Sequence, residues 1–536
     1  FDEPMKLLAG RVDPPRFNLK NEVMLAKHAH AAVITRLYQL ARGDTRLDEP
    51  SRQEITGALA ESFPVWVGDY LFDASGMVRG DAFRAGLLDS VVRQHLDDLV
   101  SEVDRVFRAT WPEADLEILD NDRLREIVVG MPEALEQAVR SVRKRLDWAM
   151  EQMGKLDEAR RLRGTLDSDE DALHRRCDRL VKRLKGTADF DRTKASGYDD
   201  RYAYAVLATE GFLPGYGLES GSILGTALVP PTVGNEGEFP LPRPPAMALR
   251  EYVPGNLVYA NGRRFIPRQY KLGTDDLLTF QVDRAREAIR DLGTADAGGT
   301  ASIAGEPLAC VAICDVDLTH VSHISDDEEY RFQMPVAVYG NEQNRHGGGH
   351  RFDWGGRFVD VRRNVYLRLV NIGPASKIEK GFGYPMSLVT GQTRSPFASD
   401  AERKHFEERE LERHGKPIRE VGFYADVIAD ALSLPDCGDR AEAYSLIEAL
   451  RMGMARVLEM EREDLQVLVI GQVGQDGVHA LLYDPMPGGS GLLQQACERW
   501  EEVVAAALEV AEGCPAVCEK SCIDCLQTFR NAYFHK

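Results

Sequence analysis

The segment CPAVCEKSCIDC places Cys514, Cys518, Cys522 and Cys525 in the pattern C-x-x-x-C-x-x-x-C-x-x-C, four of the chain's nine cysteines within twelve residues. Residues four apart share a helix face, and a C-x-x-C knuckle turns two thiolates toward one point. Together they build a tetrahedron of sulfurs, the donor set that suits zinc. Four sulfurs leave no open position for a water, so the expected site is structural and staples a segment too short to fold unaided. An iron–sulfur cluster and unmetallated thiols are the alternatives, and visible absorbance separates a cluster from zinc. Lys520 and the tight turns around it favour the thiolate form.

The other five cysteines (Cys177, Cys310, Cys314, Cys437, Cys497) are scattered, and no extracellular cue accompanies them. The expected compartment is a reducing cytoplasm, where a tight cysteine cluster binds metal more often than it forms disulfides. Neither a membrane span nor a secretory signal is expected: no run of eighteen apolar residues occurs, and the opening FDEPMKLLAGRVDPP is charged and carries paired prolines. That opening residue is Phe, not Met, as expected of a piece of a longer polypeptide.

At 536 residues the chain needs more than one core. With 43% hydrophobic and 28% charged residues it reads as globular. Its formal charge of −20 excludes a surface basic all over, but not a local basic track. The expected fold class is multidomain α+β: a helical N-terminal region with a helical hairpin, a β-rich middle, and an α/β C-terminal domain stapled by the four-cysteine zinc site. The expected divisions are 1–210, 211–400 and 401–536.

The hairpin has the clearest periodicity. Leu135, Val139, Val142, Leu146, Ala149, Met153 and Leu156 form a heptad seam, Gly164 breaks it, and SDED at 168–171 reads as a capping box for a second helix. That second helix carries Leu173, Cys177, Leu180 and Leu184 on one face. Between 140 and 186, fourteen Lys/Arg face nine Asp/Glu, a local charge of +5. This segment is either two solvated helix faces or an arm lying along a phosphate backbone or an acidic partner.

From 211 onward Gly and Pro punctuate short β-branched runs, with Asn261-Gly262 as a hairpin turn. Helical periodicity is expected again from about 403 to 460. Two strands follow around the Asp476-Gly477 turn, then a helix with Leu493, Ala496, Trp500, Val504, Ala507 and Ala511 on one face.

Three further constellations bear on chemistry. Between 345 and 368 six Arg and two Asp interleave with aromatic residues. Arg345, Arg351, Trp354, Arg357, Arg362 and Arg363 are therefore candidate nucleic-acid contacts, charge for phosphates and faces for bases. An ordinary Gly-rich hairpin accounts for them equally well. Arg263 and Arg264 extend the candidate set. His346 and His350, with three glycines between them, make too floppy a chelate for a metal. YDPMPGGSGLL (483–493) reads as strand, Gly-rich turn and helix: Gly488, Gly489 and Ser490 are either a weak phosphate site or a tight turn capped by Ser490. The acidic run SDDEEY at 325–330 reads as solvated loop. No phosphate-loop motif, nucleophile triad or motor box is legible, so no catalytic residue is assigned.

The stretch LLYDPMPGGSGLL, followed by a helix and a cysteine cluster ending SCIDCLQTFRN, resembles the C-terminal zinc-binding region of MrfA-like superfamily 2 DNA helicases. GFLPGYGL, ALREYVPGNLVYANGRRF, GFYADVIADALSL and the opening FDEPMKLLAGRVDPPRFNLKNEVMLAKHAHAA are similar to segments upstream of it. Anti-phage systems, DISARM among them, use helicases ending this way. The resemblance implies structural zinc on the four cysteines and DNA as partner, single-stranded or as translocating duplex. ATP acts only in a motor absent from this chain, supplied in cis or in trans, and other defence-system subunits are further implied partners. The non-helicase alternative is a protein-interaction scaffold that does not touch DNA.

Overall fold

The computed structural model describes residues 19, 21–43, 47–111, 116, 119–187, 201–214, 223–230, 232–234, 237–273, 277–293, 305–324, 332–344, 349–354, 357–377, 381–471, 477–486, 489–519 and 521–527. Two compact units divide the chain: residues 1–140 with 202–216, and residues 141–201 with 217–536. The division falls inside one long helix, Asn121–Arg163.

The first unit is helical, with helices Glu22–Gly43, Glu49–Ser62, Gly86–Gln94 and Leu96–Thr110. Its core follows from the apolar periodicity: Leu25, Val33 and Leu37 of the first helix are fully enclosed, as are Leu88, Val91, Leu99 and Val103. His30 is buried in the same core, stacked on Phe212 with ring centroids 4.7 Å apart and Nδ1 2.9 Å from Phe212 O. Burial pushes its pKa down to about 4.

The second unit carries fifteen named strands among the described residues. They are β1 (Ile223–Leu228), β2 (Glu238–Arg243), β3 (Val258–Ala260), β4 (Arg263–Tyr270), β5 (Leu277–Asp283), β6 (Ala288–Asp291), β7 (Glu306–Ala312) and β8 (Val316–His323), followed by β9 (Val336–Asn344), β10 (Gly349–Trp354), β11 (Arg357–Pro374), β12 (Tyr384–Met386), β13 (Arg419–Cys437), β14 (Gln466–Gly471) and β15 (Val478–Tyr483). A five-stranded sheet has the order β2-β1-β8-β4-β3. A ten-stranded sheet runs β10-β11-β13-β7-β5-β6, with β9 on β11, β12 and β15 on β13, and β14 on β15. One apolar core lies between the two sheets, joining Phe265, Val316 and Leu318 to Leu367, Phe423 and Leu481. A second core packs Val359, Leu432 and Leu482 under helices Arg440–Leu458 and Trp500–Glu512.

Local signals place several of these elements where expected. Asn261 (φ 48°) and Gly262 (φ 69°) turn β3 into β4, with Ala260 opposite Arg263. The heptad seam is buried: Leu135, Leu146 and Ala149 are fully enclosed, and Ala149, Leu156, Leu173 and Cys177 close the hairpin. Gly164 takes φ 81° at its corner. The capping box sits one residue earlier than expected. The Glu170 amide donates to Asp167 Oδ1 (2.8 Å) and the Asp167 amide to Glu170 Oε2 (3.0 Å), so Asp167 caps helix Ser168–Leu184.

Two expectations are corrected. The stretch 403–460 is not continuously helical: the 19-residue β13 separates helices Asp400–His414 and Arg440–Leu458. This strand is flanked by β11 on one side and by β7 and β15 on the other, with cores meeting both faces toward its ends and the exposed Asp426 and Ile428 between them. Its sequence therefore shows the polar alternation of a half-exposed strand only over that short middle stretch. The helix after the Gly-rich turn is broken at Arg499 into Leu492–Glu498 and Trp500–Glu512. The buried positions Leu493, Ala496, Val503, Ala507 and Val510 keep one regular spacing through the break, so Val503 and Val510 are the buried residues where Val504 and Ala511 are expected.

Candidate functional site

Helix Trp500–Glu512 packs against Arg440–Leu458 so closely that a Cβ on Gly453 would lie 2.4 Å from Val503 O. The pair delivers the chain into the cysteine segment at Gly513. The Cys525 and Gln527 amides then donate to Cys522 O (3.1 and 2.9 Å), and the Cys522 amide donates to Cys525 Sγ (3.1 Å). Arg462 Nη1 anchors the far side by donating to Gln527 O (3.3 Å).

These turns gather all four sulfurs within 4.8 Å of one another. The Cys514–Cys522, Cys514–Cys518, Cys518–Cys525 and Cys522–Cys525 separations are 3.5, 3.6, 3.7 and 3.9 Å. Sulfurs about 2.3 Å from a tetrahedral zinc stand about 3.8 Å apart, so the donor set fits. The same separations are far beyond the roughly 2.05 Å of a disulfide. The Cys518 amide holds the Cys514 thiol down to about 7, while the hydrogen bond shared with Cys514 pushes Cys518 up to about 12. Four thiolates crowded this closely need a cation to coexist. Lys520 lies outside the described residues.

The arginine- and aromatic-rich segment forms β10 and β11, but one continuous track it is not. Between Arg362 and Val365 the register of β11 on β13 shifts by one residue. Strand alternation and this bulge split the segment over both faces of the sheet. Arg351, Asp360 and Arg362 lie on one face. Phe352 lies on the other, stacked on Trp500 with centroids 5.4 Å apart. Carboxylates meet the first set. Arg351 Nε donates to Asp360 Oδ1 (2.7 Å) and its guanidinium lies 5.2 Å from the Phe358 centroid, while Arg362 donates to Glu342. Arg363 is half-buried within the field of Cys497. Trp354 and Arg357 are Cα partners at the hairpin end, with side chains outside the description, and Arg345 also lies outside it. Arg263 is 7% exposed, with Nη1 3.2 Å from His323 Nε2, and Arg264 is half-buried beside it.

Of the Gly-rich turn, Gly488 lies outside the described residues. Gly489 takes φ 80°, and the Ser490 amide and hydroxyl both donate to Asp484. The carboxylate occupies the donors a phosphate would need. The basic hairpin is likewise engaged within its own unit. Arg145 pairs with Asp315 (3.1 Å), Arg176 with Asp317 (3.2 Å), Arg179 with Glu238 (3.2 Å) and Arg163 with Glu170 (2.7 Å).

A basic cluster that no stretch of sequence announces lies around Thr393–Phe397: Arg268 and Lys377 are hydrogen-bonded to this loop, and Arg394 and Arg409 lie over Phe406. Its members come from four separate segments, so only the aromatic partners Phe397 and Phe406 beside Arg394 and Arg409 hinted at it. No helix among the described residues is long and apolar enough to cross a membrane.

Residues 446–526 match the family model described as the MrfA Zn-binding domain. The chain is 28% identical over 96 residues to the Druantia protein DruE of Escherichia coli, covering 17% of this chain and 5% of that protein. Among solved structures it is similar to the DUF1998 helicase MrfA bound to DNA, at 14% identity and a TM-score of 0.29 over 65% of this chain and 36% of that one. For MrfA bound to DNA and AMPPNP the values are 12%, 0.22, 67% and 39%. The chain thus spans well under half the length of these relatives. Its C-terminal part, residues 446–526, is an MrfA-type zinc-binding domain, and the four-cysteine cluster lies within it.

Proposed function

We propose that this chain is the C-terminal accessory portion, or a separate docking subunit, of an ATP-dependent DNA helicase, where it guides DNA and braces the motor. The single observation carrying this reading is the zinc-binding domain at 446–526 with its four convergent sulfurs. Zinc held there by Cys514, Cys518, Cys522 and Cys525 is structural, since the donor set closes without an open position. ATP hydrolysis belongs to motor domains whose motifs this sequence lacks. A role in cytoplasmic anti-phage defence rests on the sequence resemblance.

The test is salt-dependent binding of labelled DNA by the full chain, together with ATP hydrolysis by the assembly isolated with it from its host. DNA binding that weakens with salt, and hydrolysis that rises with DNA, support the helicase reading. No DNA binding at low salt sinks it. One observation favours a scaffold instead: Arg351 and Arg362 are neutralised by Asp360 and Glu342 in a chain of net charge −20. Intact assembly without DNA binding is the outcome that reading expects.

A further inference from the structure

Four cationic residues lie on or around the loop Thr393–Phe397. Arg268, on β4, is tied to the loop by the Thr393 amide, which donates to Arg268 O at 3.0 Å. Lys377 donates from Nζ to Pro396 O and sits 5.0 Å from the Phe397 ring centroid. Arg394 and Arg409 lie over Phe406, at 4.5 and 5.5 Å. Phe397 itself is 49% exposed.

Three carboxylates border this cluster, and each is committed. Glu402 lies in the field of Arg268 and Arg394, but its Oε2 accepts the Ser399 amide and hydroxyl, both at 2.9 Å. Glu410 accepts Arg409 at 3.1 Å and Thr390 Oγ1 at 3.2 Å. Glu420 takes Arg403 and lies also in the weaker field of Lys377. Among the described residues, neither Arg268 nor Lys377 has a carboxylate within ion-pair distance. Burial lowers the pKa of the half-buried Arg268, and the field of Glu402 offsets only part of that loss of water.

We propose that this patch binds single-stranded nucleic acid, with Arg268 and Lys377 on backbone phosphates and the open face of Phe397 stacked on a base. The proposal rests on the DNA-guiding reading above and names the surface that does the guiding. A guanidinium fork matches phosphate oxygens, and an exposed ring beside cations is what a base needs. The strongly acidic remainder of the chain repels DNA elsewhere and so confines contact to such a patch.

Fluorescence anisotropy of the full chain with labelled oligo-deoxythymidine, as a function of salt, tests this. Removing two phosphate contacts in the double variant R268Q/K377Q is expected to flatten the slope of log K against log salt by about 1.4. Phe397→Ala, at an exposed position, is expected to weaken single-strand binding roughly tenfold and duplex binding much less. R268K/K377R keeps the charges and is expected to keep the slope. A natively folded R268Q/K377Q protein with unchanged slope, or Phe397→Ala with unchanged single-strand affinity, overturns the patch while the wild type still binds. A wild-type chain that binds no DNA at low salt overturns the helicase reading itself.

Discussion

The Asp484 carboxylate accepts both the amide and the hydroxyl of Ser490, each at 2.5 Å, and so closes the turn between β15 and helix Leu492–Glu498 from inside. Asp484 is 1% exposed, and burial pushes its pKa above the ordinary range while the Ser490 bonds pull it back. Its Oδ1 also takes the Met486 amide at 3.0 Å. Asp484→Asn, which exchanges part of this acceptor capacity for donors, is expected to cost about 1–3 kcal/mol. Ser490→Ala is expected to cost less. In denaturant unfolding the double variant should fall short of the sum, because both changes break one bond set. Additive losses would mean that the two residues act separately.

Glu287 gives a pH dependence with a definite sign. Burial raises its pKa from 4.5 to about 7, against the pull of Arg440. A carboxyl raised on folding stabilises the protein most below its ordinary value, and that contribution is lost as pH rises through about 7. Glu287→Gln should therefore remove part of a decline in stability between pH 4.5 and about 7. Unfolding curves of wild type and variant that stay parallel across that window would refute it.

What the sequence made legible was local. The Asn261-Gly262 turn, the heptad from Leu135 to Leu156 and the cysteine spacing each encode their geometry within a few residues. The strand β13 was not legible because neighbours on both edges and cores on both faces toward its ends confine its polar alternation to a short middle stretch. The fate of the arginines was not legible either. Whether Arg176 lies free or meets Asp317 depends on a contact 141 residues away, the difference between the two positions. Charge counts find basic segments; only tertiary structure says which charges are already matched.

That matching predicts what holds the hairpin down. Asp317 is 3% exposed and takes Arg176 at 3.2 Å and Lys271 at 3.6 Å, while Lys271 also sits 5.8 Å from the Trp148 centroid. Beside it, Asp315 takes Arg145 at 3.1 Å and the Leu224 amide at 2.9 Å. Asp317→Ala would strand two cations in a largely buried place, at a cost of about 3–5 kcal/mol. Hydrogen exchange should show helix Ser168–Leu184 losing protection before the helices of the zinc-binding domain do. Uniform loss across the unit would mean that Asp317 serves the whole core and not the hairpin.

The cysteines carry the last prediction. Cys525 is 3% exposed and Leu526 8%, both inside the core formed by helices Arg440–Leu458 and Trp500–Glu512, so the metal site and the apolar core share side chains. Cys522 supplies a sulfur, and its carbonyl accepts the amides of Cys525 and Gln527. Cys522→Ser keeps those backbone bonds and removes one donor. Zinc content should fall from about one per chain toward none, and stability by several kcal/mol on the order expected of a structural site. Chelation of the wild type should produce the same state. Conversely, Cys497→Ser, outside the cluster, should leave zinc content unchanged. A Cys522→Ser protein with wild-type zinc and wild-type melting would show that the four sulfurs converge without holding a metal.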